Sequence, residues 1–269
     1  MFRLALALCL LASPALASQC IQLSQNETPT VWRAATPGAG LDPDQVRIVY
    51  VAHSAFQIET GEGATAVTDY FGGHGPAGVP DAVTMNHAHE THWTAFPHKD
   101  VEHVLRGWKT EEGVPADHWV ELGEMLVRNI PTDIRDWAGG WEEHGNSIFV
   151  FEYKGLCIGH LGHLHHEPTE AHYAQIGRLD VVMAAVDGGQ TIAIEPMVRI
   201  LKRLKSRIVI PMHAWSVHSL ASFLEGMSTD FEIVFEPANE LVISARTLPD
   251  RPTVRMMLPQ GFDPSLSEE

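Results

Sequence analysis

The pattern of apolar and polar positions along the chain predicts a protein built mainly from β-strands, with two helices in its C-terminal third. Residues 45–60 alternate between apolar and polar and carry many β-branched side chains, which is typical of a strand or a hairpin. Residues 191–205 and 216–227 contain apolar positions spaced three or four apart and therefore predict helices. Shorter apolar segments predict further strands at residues 64–71, 81–89, 103–108, 124–131, 147–163 (a hairpin that turns at 154–155), 178–189, 207–215 and 231–245.

The first 17 residues have the layout of a secretory signal peptide, with Arg3, an apolar run and small residues that end at Ala17. A short buried N-terminal helix is the alternative. Residues 18–269 contain no linker-like segment and no repeat, so we expect a single domain there. No other segment reaches the length of a membrane span. We therefore expect a soluble protein of the periplasm or of the extracellular space.

Two cysteines remain after the predicted cleavage, Cys20 and Cys157. An oxidising compartment permits a disulfide between them, while a buried free thiol at Cys157 is the alternative. Neither cysteine belongs to a C-x2-C pair, so the sequence predicts no zinc thiolate site.

The formal net charge of −16 disfavours nucleic acids and anionic membranes as partners, because phosphate binding depends on clustered Lys and Arg. The one basic segment, residues 198–207, is typical of the solvated face of an amphipathic helix, with Val198, Leu201 and Leu204 facing inward. We expect a small-molecule substrate, and the sequence leaves the oligomeric state open.

Histidine is the residue type that carries the candidate chemistry. His87 and His89 have the spacing that places two rings on one face of an extended strand, and His92 follows after a turn. His163 and His213 each come just after an apolar strand, at the place where layered α/β proteins position functional side chains. Several convergent neutral imidazoles are what zinc and similar ions require, so these five residues are the predicted metal ligands.

A series of short motifs resembles the metallo-β-lactamase superfamily, in particular its UlaG-like branch of lactonases and phosphodiesterases. The motifs keep the order of that family over residues 45–245. They are Ala52-His53-Ser54, Thr68-Asp69-Tyr70, His87-x-His89-x-Thr91-His92, His160-Leu161-Gly162-His163, Asp187-Gly188-Gly189-Gln190-Thr191 and Pro211-Met212-His213. The resemblance implies an α/β fold, the four-layer αββα sandwich of that superfamily, and metal-dependent hydrolysis.

The chain departs from the family pattern at two acidic positions. Thr91 stands where the family has an aspartate that binds the second metal ion, and His163 stands where it has an aspartate that bridges both ions. Residues 130–137 also lack a histidine that the family usually places there. Because an all-imidazole shell offsets the charge of two divalent ions poorly, we expect one metal ion rather than two. Zn2+ is favoured, iron or manganese is the alternative, and Glu90 could supply a carboxylate from a rearranged loop.

Further roles follow from the resemblance. Asp69 would accept a ring N–H from a ligand histidine and fix its tautomer, although an aspartate that merely ends a strand is the alternative. His53 and His166 would line the pocket as proton-transfer groups, with packing or surface roles as the alternative. Residues 135–146, an acidic segment rich in Gly and Trp, predict a loop that could wall the pocket through Arg135, Asp136, Trp137 and Trp141.

The resulting hypothesis is an exported hydrolase that uses a metal-activated water on an ester, lactone, amide or phosphodiester bond. Two other classes remain open: a mononuclear iron or manganese redox enzyme on the same fold, and a non-catalytic homologue that binds a metal or a partner. A metalloprotease reading of residues 165–172 fails, because H-E-x-x-H would need histidine at Glu170 and because Pro168 would interrupt the helix.

Overall fold

The protein folds into two β-sheets packed face to face, with three helices in the part of the chain that is described. The structure is a computed structural model and describes residues 18–21, 40–87, 89, 91–136 and 138–261; the predicted signal peptide at residues 1–17 lies outside these ranges. The helices are α1 (Glu170–Ile176), α2 (Ile194–Leu204) and α3 (Val217–Met227). The strands are β1 (Val46–Ala52), β2 (Ala55–Thr60), β3 (Thr65–Val67), β4 (Ala82–Met85), β5 (His103–Arg106), β6 (Trp119–Leu122), β7 (Met125–Arg135), β8 (Trp141–Tyr153), β9 (Leu156–His160), β10 (Val181–Ala185), β11 (Ile208–Met212), β12 (Glu232–Phe235), β13 (Glu240–Ile243) and β14 (Thr253–Met256).

The two sheets have six and eight strands. Their orders are β13-β1-β2-β3-β4-β5 and β12-β14-β11-β10-β9-β8-β7-β6. The predicted strands and both predicted helices are confirmed, and so is the hairpin that turns at residues 154–155. Strands β6 and β14 and helix α1 were not predicted, because each of these strands is only four residues long and because α1 buries a single residue, Ile176.

The main core lies between the two sheets. It is formed by inward-facing apolar side chains of both sheets, including Ile48, Phe56, Phe149, Met183 and Ile210, all of them essentially inaccessible to solvent. Burial of such side chains is the dominant favourable contribution to folding, about 1.5–3 kcal/mol for each large one. The sandwich therefore provides the rigid scaffold that positions the loops at its edge.

The helices cover the outer face of the eight-stranded sheet. Met197, Val198 and Leu201 of α2 pack with Phe223 of α3 against strand residues such as Val182. The predicted inward positions of α2 are confirmed for Val198 and Leu201, which are buried. The outer face of the six-stranded sheet is covered by a smaller apolar cluster that includes Tyr70, Trp93 and Trp108. Within the described ranges, no helix is both long and apolar enough to cross a membrane.

A long antiparallel ribbon replaces the loop that was predicted at residues 135–146. Strand β7 continues to Arg135 and β8 already begins at Trp141, where the two residues pair. The loop prediction was wrong for Arg135 and for residues 141–146, because the glycine and acidic content of the segment favoured a loop, while the pairing of β7 with β8 fixes strands there. The ribbon extends the sheet beside the histidine cluster.

The segment at residues 18–21 is fixed to the sandwich by a disulfide and by a buried ion pair. Cys20 and Cys157 form the disulfide, so the alternative of a free thiol at Cys157 does not apply. Glu152 of β8 accepts hydrogen bonds from Ser18 Oγ (2.6 Å), from the backbone of Gln19 (2.7 Å) and from Arg128 Nε (2.6 Å). The start of the described chain is thereby anchored to the centre of the eight-stranded sheet.

The topology places one end of several strands at a common edge. Strands β9, β10 and β11 are parallel neighbours, and so are β3, β4 and β5 in the other sheet. The carboxyl ends of parallel strands lie on the same side of a sheet, so the segments that follow them meet. These segments carry the predicted site residues.

Candidate metal centre

Six histidines from four loops meet at this edge of the sandwich. His53 lies in the β1–β2 turn, His87, His89 and His92 follow β4, His163 follows β9, and His213 follows β11. Their rings form two neighbouring sets. We call His53, His92 and His213 the inner group, and His87, His89 and His163 the outer group.

The inner group is compact. Ring centroids lie 5.3 Å apart for His53 and His92, 4.1 Å for His53 and His213, and 5.2 Å for His92 and His213. One ligand nitrogen from each of the three side chains lies within 4.8 Å of the other two. His92 and His213 are buried and His53 is half-buried, so the group is largely shielded from water.

Asp69 orients the ring of His92. Its Oδ2 lies 2.6 Å from His92 Nδ1, and its Oδ1 accepts a hydrogen bond from the backbone of Asn86 at the end of β4. Ser54 Oγ lies 3.0 Å from the same ring nitrogen, but a carboxylate is the stronger acceptor for an N–H. His92 Nε2 is buried and has no hydrogen-bond partner. The predicted geometry for Asp69, a carboxylate facing a ring nitrogen of a candidate ligand, is therefore present.

Asp187 contacts the ring of His213. Asp187 Oδ2 lies 3.0 Å from His213 Nδ1, which also accepts a hydrogen bond from Trp215 Nε1 (3.1 Å), and the Asp187 and His213 side chains are almost completely buried. Asp187 Oδ1 accepts hydrogen bonds from the backbone N–H groups of Gly189, Gln190 and Thr191. Sequence reasoning used Asp187 as part of a motif but gave it no role, although its position at the end of an apolar strand was a usable signal.

The outer group is looser and half-buried except for His163. Ring centroids are 5.5 Å apart for His87 and His163, 6.0 Å for His89 and His163, and 6.5 Å for His87 and His89. His87 Nδ1 lies 2.6 Å from the carbonyl oxygen of Gly145 and donates to it. Thr91 Oγ1 lies 3.4 Å from His89 Nδ1. The residue that replaces the family aspartate thus contacts an imidazole of this group.

His163 joins the two groups, because its ring lies 4.9 Å from that of His92. The preceding residue, Gly162, adopts φ of +62°, and a Cβ there would collide with the side chains of Asn86 and Asn146. Glycine is therefore required at position 162 for the chain to turn His163 towards the other rings.

The segment that carries these histidines matches the model of a known protein family. Residues 47–213 match the family model described as the beta-lactamase superfamily domain, and this span contains all six histidines.

The chain belongs to the metallo-β-lactamase superfamily. Solved structures agree on the fold: a superfamily member from Thermotoga maritima is 24% identical, with a TM-score of 0.57, covering 80% of this chain and 100% of that one. Igni18, a metallo hydrolase from Ignicoccus hospitalis, is 17% identical, with a TM-score of 0.55 and coverage of 74% and 99%. CmlA, a diiron β-hydroxylase from Streptomyces venezuelae, is 10% identical, with a TM-score of 0.53 and coverage of 81% and 53%. No curated protein matches the sequence. The superfamily fold predicted from the motifs is confirmed, and the UlaG-like branch stays a prediction.

The protonation states in this superfamily site suit metal binding. Burial, reinforced by the neighbouring His92, lowers the pKa of His163 to about 2, and burial with the neighbouring His213 lowers the pKa of His53 to about 3. Burial alone would raise the pKa of the Asp69 carboxyl, but the contact with His92 outweighs it and holds that pKa below its usual value. Neutral imidazoles and ionised carboxylates are the forms that a metal site requires.

The donor set fits a metal ion. The unpartnered buried nitrogens include His92 Nε2, His53 Nε2 and His163 Nδ1, and buried polar atoms without a partner are rare in folded proteins. The compact group of ligand atoms found among the described residues consists of imidazoles alone. The superfamily fold and this set of rings together support a metal site, and the ligand roles of the individual histidines stay predictions.

Other predicted site residues lie differently. His166 Nε2 accepts a hydrogen bond from the backbone of Asp133, and its ring packs against Trp141 and His172, so its proton-transfer role stays a prediction without a structural argument for it. Arg135 donates to three backbone carbonyls at residues 189–191, which fixes the β7–β8 ribbon to the loop that carries Asp187. Glu90 and Trp137 lie outside the described residues.

One residue near the site was missed by sequence reasoning. The ring of His165 lies 4.8 Å from that of His163, and its Nδ1 accepts a hydrogen bond from the backbone of Arg135 (2.7 Å). Its Nε2 is buried without a partner. Its only signal in the sequence was its closeness to His163.

Proposed function

We propose that the protein is an exported hydrolase that depends on a metal ion, most simply Zn2+, held by imidazoles at the edge of the sandwich. The observation that supports this proposal most directly is that two carboxylates each contact the Nδ1 atom of a buried histidine ring. Asp69 faces the Nδ1 of His92, whose buried Nε2 has no hydrogen-bond partner, and Asp187 lies 3.0 Å from the Nδ1 of His213. This carboxylate–histidine arrangement is typical of metal sites, where the carboxylate fixes the tautomer and raises the basicity of the ligand.

The residues that would hold the metal ion include His92 and His213, with His163, His87 and His89 beside them. When bound, the ion supplies a Lewis acid and lowers the pKa of a coordinated water towards about 7. The protein's own contribution is a set of pre-oriented rings, since a site whose groups are already in place loses little free energy to reorganisation.

The surroundings of the site suit a small substrate. Trp141 and Trp215 are both 57% exposed, and Trp215 packs against the rings of His53 and His213. Exposed indoles at the rim of a site offer apolar contact area with a polar edge. We propose a small molecule with an ester, lactone, amide or phosphodiester bond as the substrate, and the net charge of −16 disfavours large polyanions.

The test is elemental analysis together with a hydrolysis screen. We expect the purified chain to retain about one zinc per molecule and to hydrolyse members of an ester and lactone panel. His92→Ala should lose both the metal and the activity, whereas His218→Ala, which removes an exposed histidine of α3, should change neither. A chain that folds but binds no divalent metal ion would contradict the proposal and would favour a non-catalytic homologue.

A redox enzyme is the second candidate, and the imidazole-only composition of the inner group favours it. Imidazole suits iron as well as zinc, and the diiron β-hydroxylase CmlA has this fold. Iron in the purified protein, with an absorbance change on reduction, would support this candidate over hydrolysis.

We propose export because two features support it. One is the signal-like layout of residues 1–17, and the other is the disulfide between Cys20 and Cys157, since structural disulfides persist in oxidising compartments. Fractionation of the source cells and N-terminal sequencing of the mature protein test this. A cytoplasmic protein that begins at Met1 would refute it.

A further inference from the structure

We propose that His53 is itself a metal ligand, and that it completes a three-imidazole pocket with His92 and His213 in place of the missing carboxylates. This inference rests on the proposed function, because it names a ligand of the same metal ion. It replaces the proton-transfer role that the sequence suggested for His53.

The backbone of His53 is fixed to the strand that carries His213. The carbonyl oxygen of His53 accepts hydrogen bonds from the hydroxyl of Tyr50 (2.5 Å) and from the backbone N–H of His213 (3.1 Å). His53 and His213 adopt φ of +46° and +58°, in the left-handed region that non-glycine residues seldom occupy. Such strained positions persist only where the surrounding structure holds them, so the two rings are placed together by the fold and not by chance side-chain rotation.

The ring of His53 lacks the contacts of a structural histidine. Its Nε2 is buried and has no hydrogen-bond partner. His160, a fully buried neighbour, shows the contrast, because its two ring nitrogens contact Ser54, Asn86 and the backbone of Gly162. A buried nitrogen without a hydrogen-bond partner destabilises the fold, and a bound ion would remove that cost.

The ligand nitrogens of the inner group are close enough to share one ion. One nitrogen from each of His53, His92 and His213 lies within 4.8 Å of the others, and tetrahedral zinc with bonds of about 2.0–2.1 Å would need them roughly 3.4 Å apart. Small ring rotations close that gap. In the outer group, His87 and His89 are 6.5 Å apart between ring centroids, so the inner group is the better-formed site.

The ligand set predicts which ions bind. Three neutral imidazoles contribute no negative charge, and hard ions such as Mg2+ and Mn2+ prefer carboxylate oxygens. We therefore expect Zn2+, Co2+ and Ni2+ to bind the site and Mg2+ to be excluded.

The experiment measures metal binding by the full chain, apart from any activity. The metal-free protein is titrated with Zn2+ against a chelator and with Co2+ by visible absorption, for the wild type and for His53→Phe, which keeps a ring but removes the donor. His218→Phe is the matched control on an exposed histidine. Loss of an outer-sphere partner costs 10–100-fold in metal affinity, so a lost ligand should exceed about 100-fold and change the Co2+ spectrum, while the control should leave both unchanged.

A second variant keeps the test decisive if His53→Phe folds poorly. His53→Cys offers a thiolate at the same position, and direct coordination would add a sulfur-to-cobalt charge-transfer band in the near ultraviolet. That band, at unchanged metal stoichiometry, would support the proposal.

The outcomes separate the two proposals. A wild type that binds no metal overturns the proposed function. In another outcome the wild type binds metal, His53→Phe binds it with similar affinity and an unchanged Co2+ spectrum, and His53→Cys adds no band. That outcome overturns only the role of His53. A fall in turnover with metal binding intact would return His53 to a proton-transfer role.

Discussion

At the scale of single residues, the site depends on where the two remaining carboxylates stand. Thr91 and His163 replace the acids that the family uses to bind metal directly, yet Asp69 and Asp187 persist one step further out, against ring nitrogens. The site therefore keeps two negative charges, and each of them contacts an imidazole ring. We therefore expect Asp69 and Asp187 to influence metal affinity through the rings that they contact.

Asp69→Asn should weaken metal binding without unfolding the protein. The amide keeps the size of the side chain and can accept from His92 Nδ1, but it no longer carries the charge that makes the ring a better donor. We expect a 10–100-fold loss of Zn2+ affinity in chelator competition. Asp250→Asn, on an exposed carboxylate, should leave the affinity unchanged, and equal affinity in both variants would contradict this prediction.

Thr91→Asp should restore a carboxylate next to the outer group. Thr91 Oγ1 already contacts His89 Nδ1, so an aspartate there can reach the same space. Because carboxylates suit harder ions, we expect tighter Mn2+ binding and a metal content that rises above that of the wild type. Thr94→Asp, two residues beyond the cluster, is the control; the prediction is wrong if both variants bind the same amount of metal as the wild type.

At the scale of elements, the eight-stranded sheet is held to the N-terminal segment and to α1 by the buried pair of Arg128 and Glu152. Arg128 also donates to the carbonyls of Gln175 and Ile176 at the end of α1, while Glu152 accepts from residues 18–20. Both side chains are at most 4% exposed. One pair thus satisfies polar groups of two segments, the N-terminal segment and the end of α1.

Glu152→Gln should destabilise the fold markedly, because it leaves the Arg128 guanidinium buried without its counter-ion. Removing one partner of a buried pair costs about 3–5 kcal/mol, which denaturant unfolding measures directly. The double variant Arg128→Met/Glu152→Leu should lose less than the sum of the two single variants. Glu195→Gln, at an exposed pair in α2, should change stability by less than about 1 kcal/mol.

At the scale of the whole molecule, the charge distribution limits the partners. The chain has 34 acidic and 18 basic residues, and part of the basic segment forms the solvated side of α2, where Arg199 and Arg203 pair with Glu167 and Glu170. A surface of this kind repels polyanions.

The protein should therefore not bind DNA, RNA or anionic vesicles at about 0.15 M salt, where only clustered cationic side chains hold phosphates. Fluorescence anisotropy with labelled oligonucleotides and vesicle sedimentation measure this. Salt-dependent binding with micromolar affinity would contradict the expectation and would point to a basic face that the acidic surroundings do not neutralise.

The sequence by itself determined most of the strands, the two longer helices, the superfamily and the histidines that meet at one edge. It could do so because strand alternation, helical spacing and ordered motifs are local signals. Only the tertiary structure decided the pairing of β7 with β8 beyond residue 131, the disulfide, the contact of Asp187 with His213 and the place of His53 beside His92 and His213. These features join residues far apart in the chain, and their geometry depends on how the two sheets pack, which no local pattern encodes.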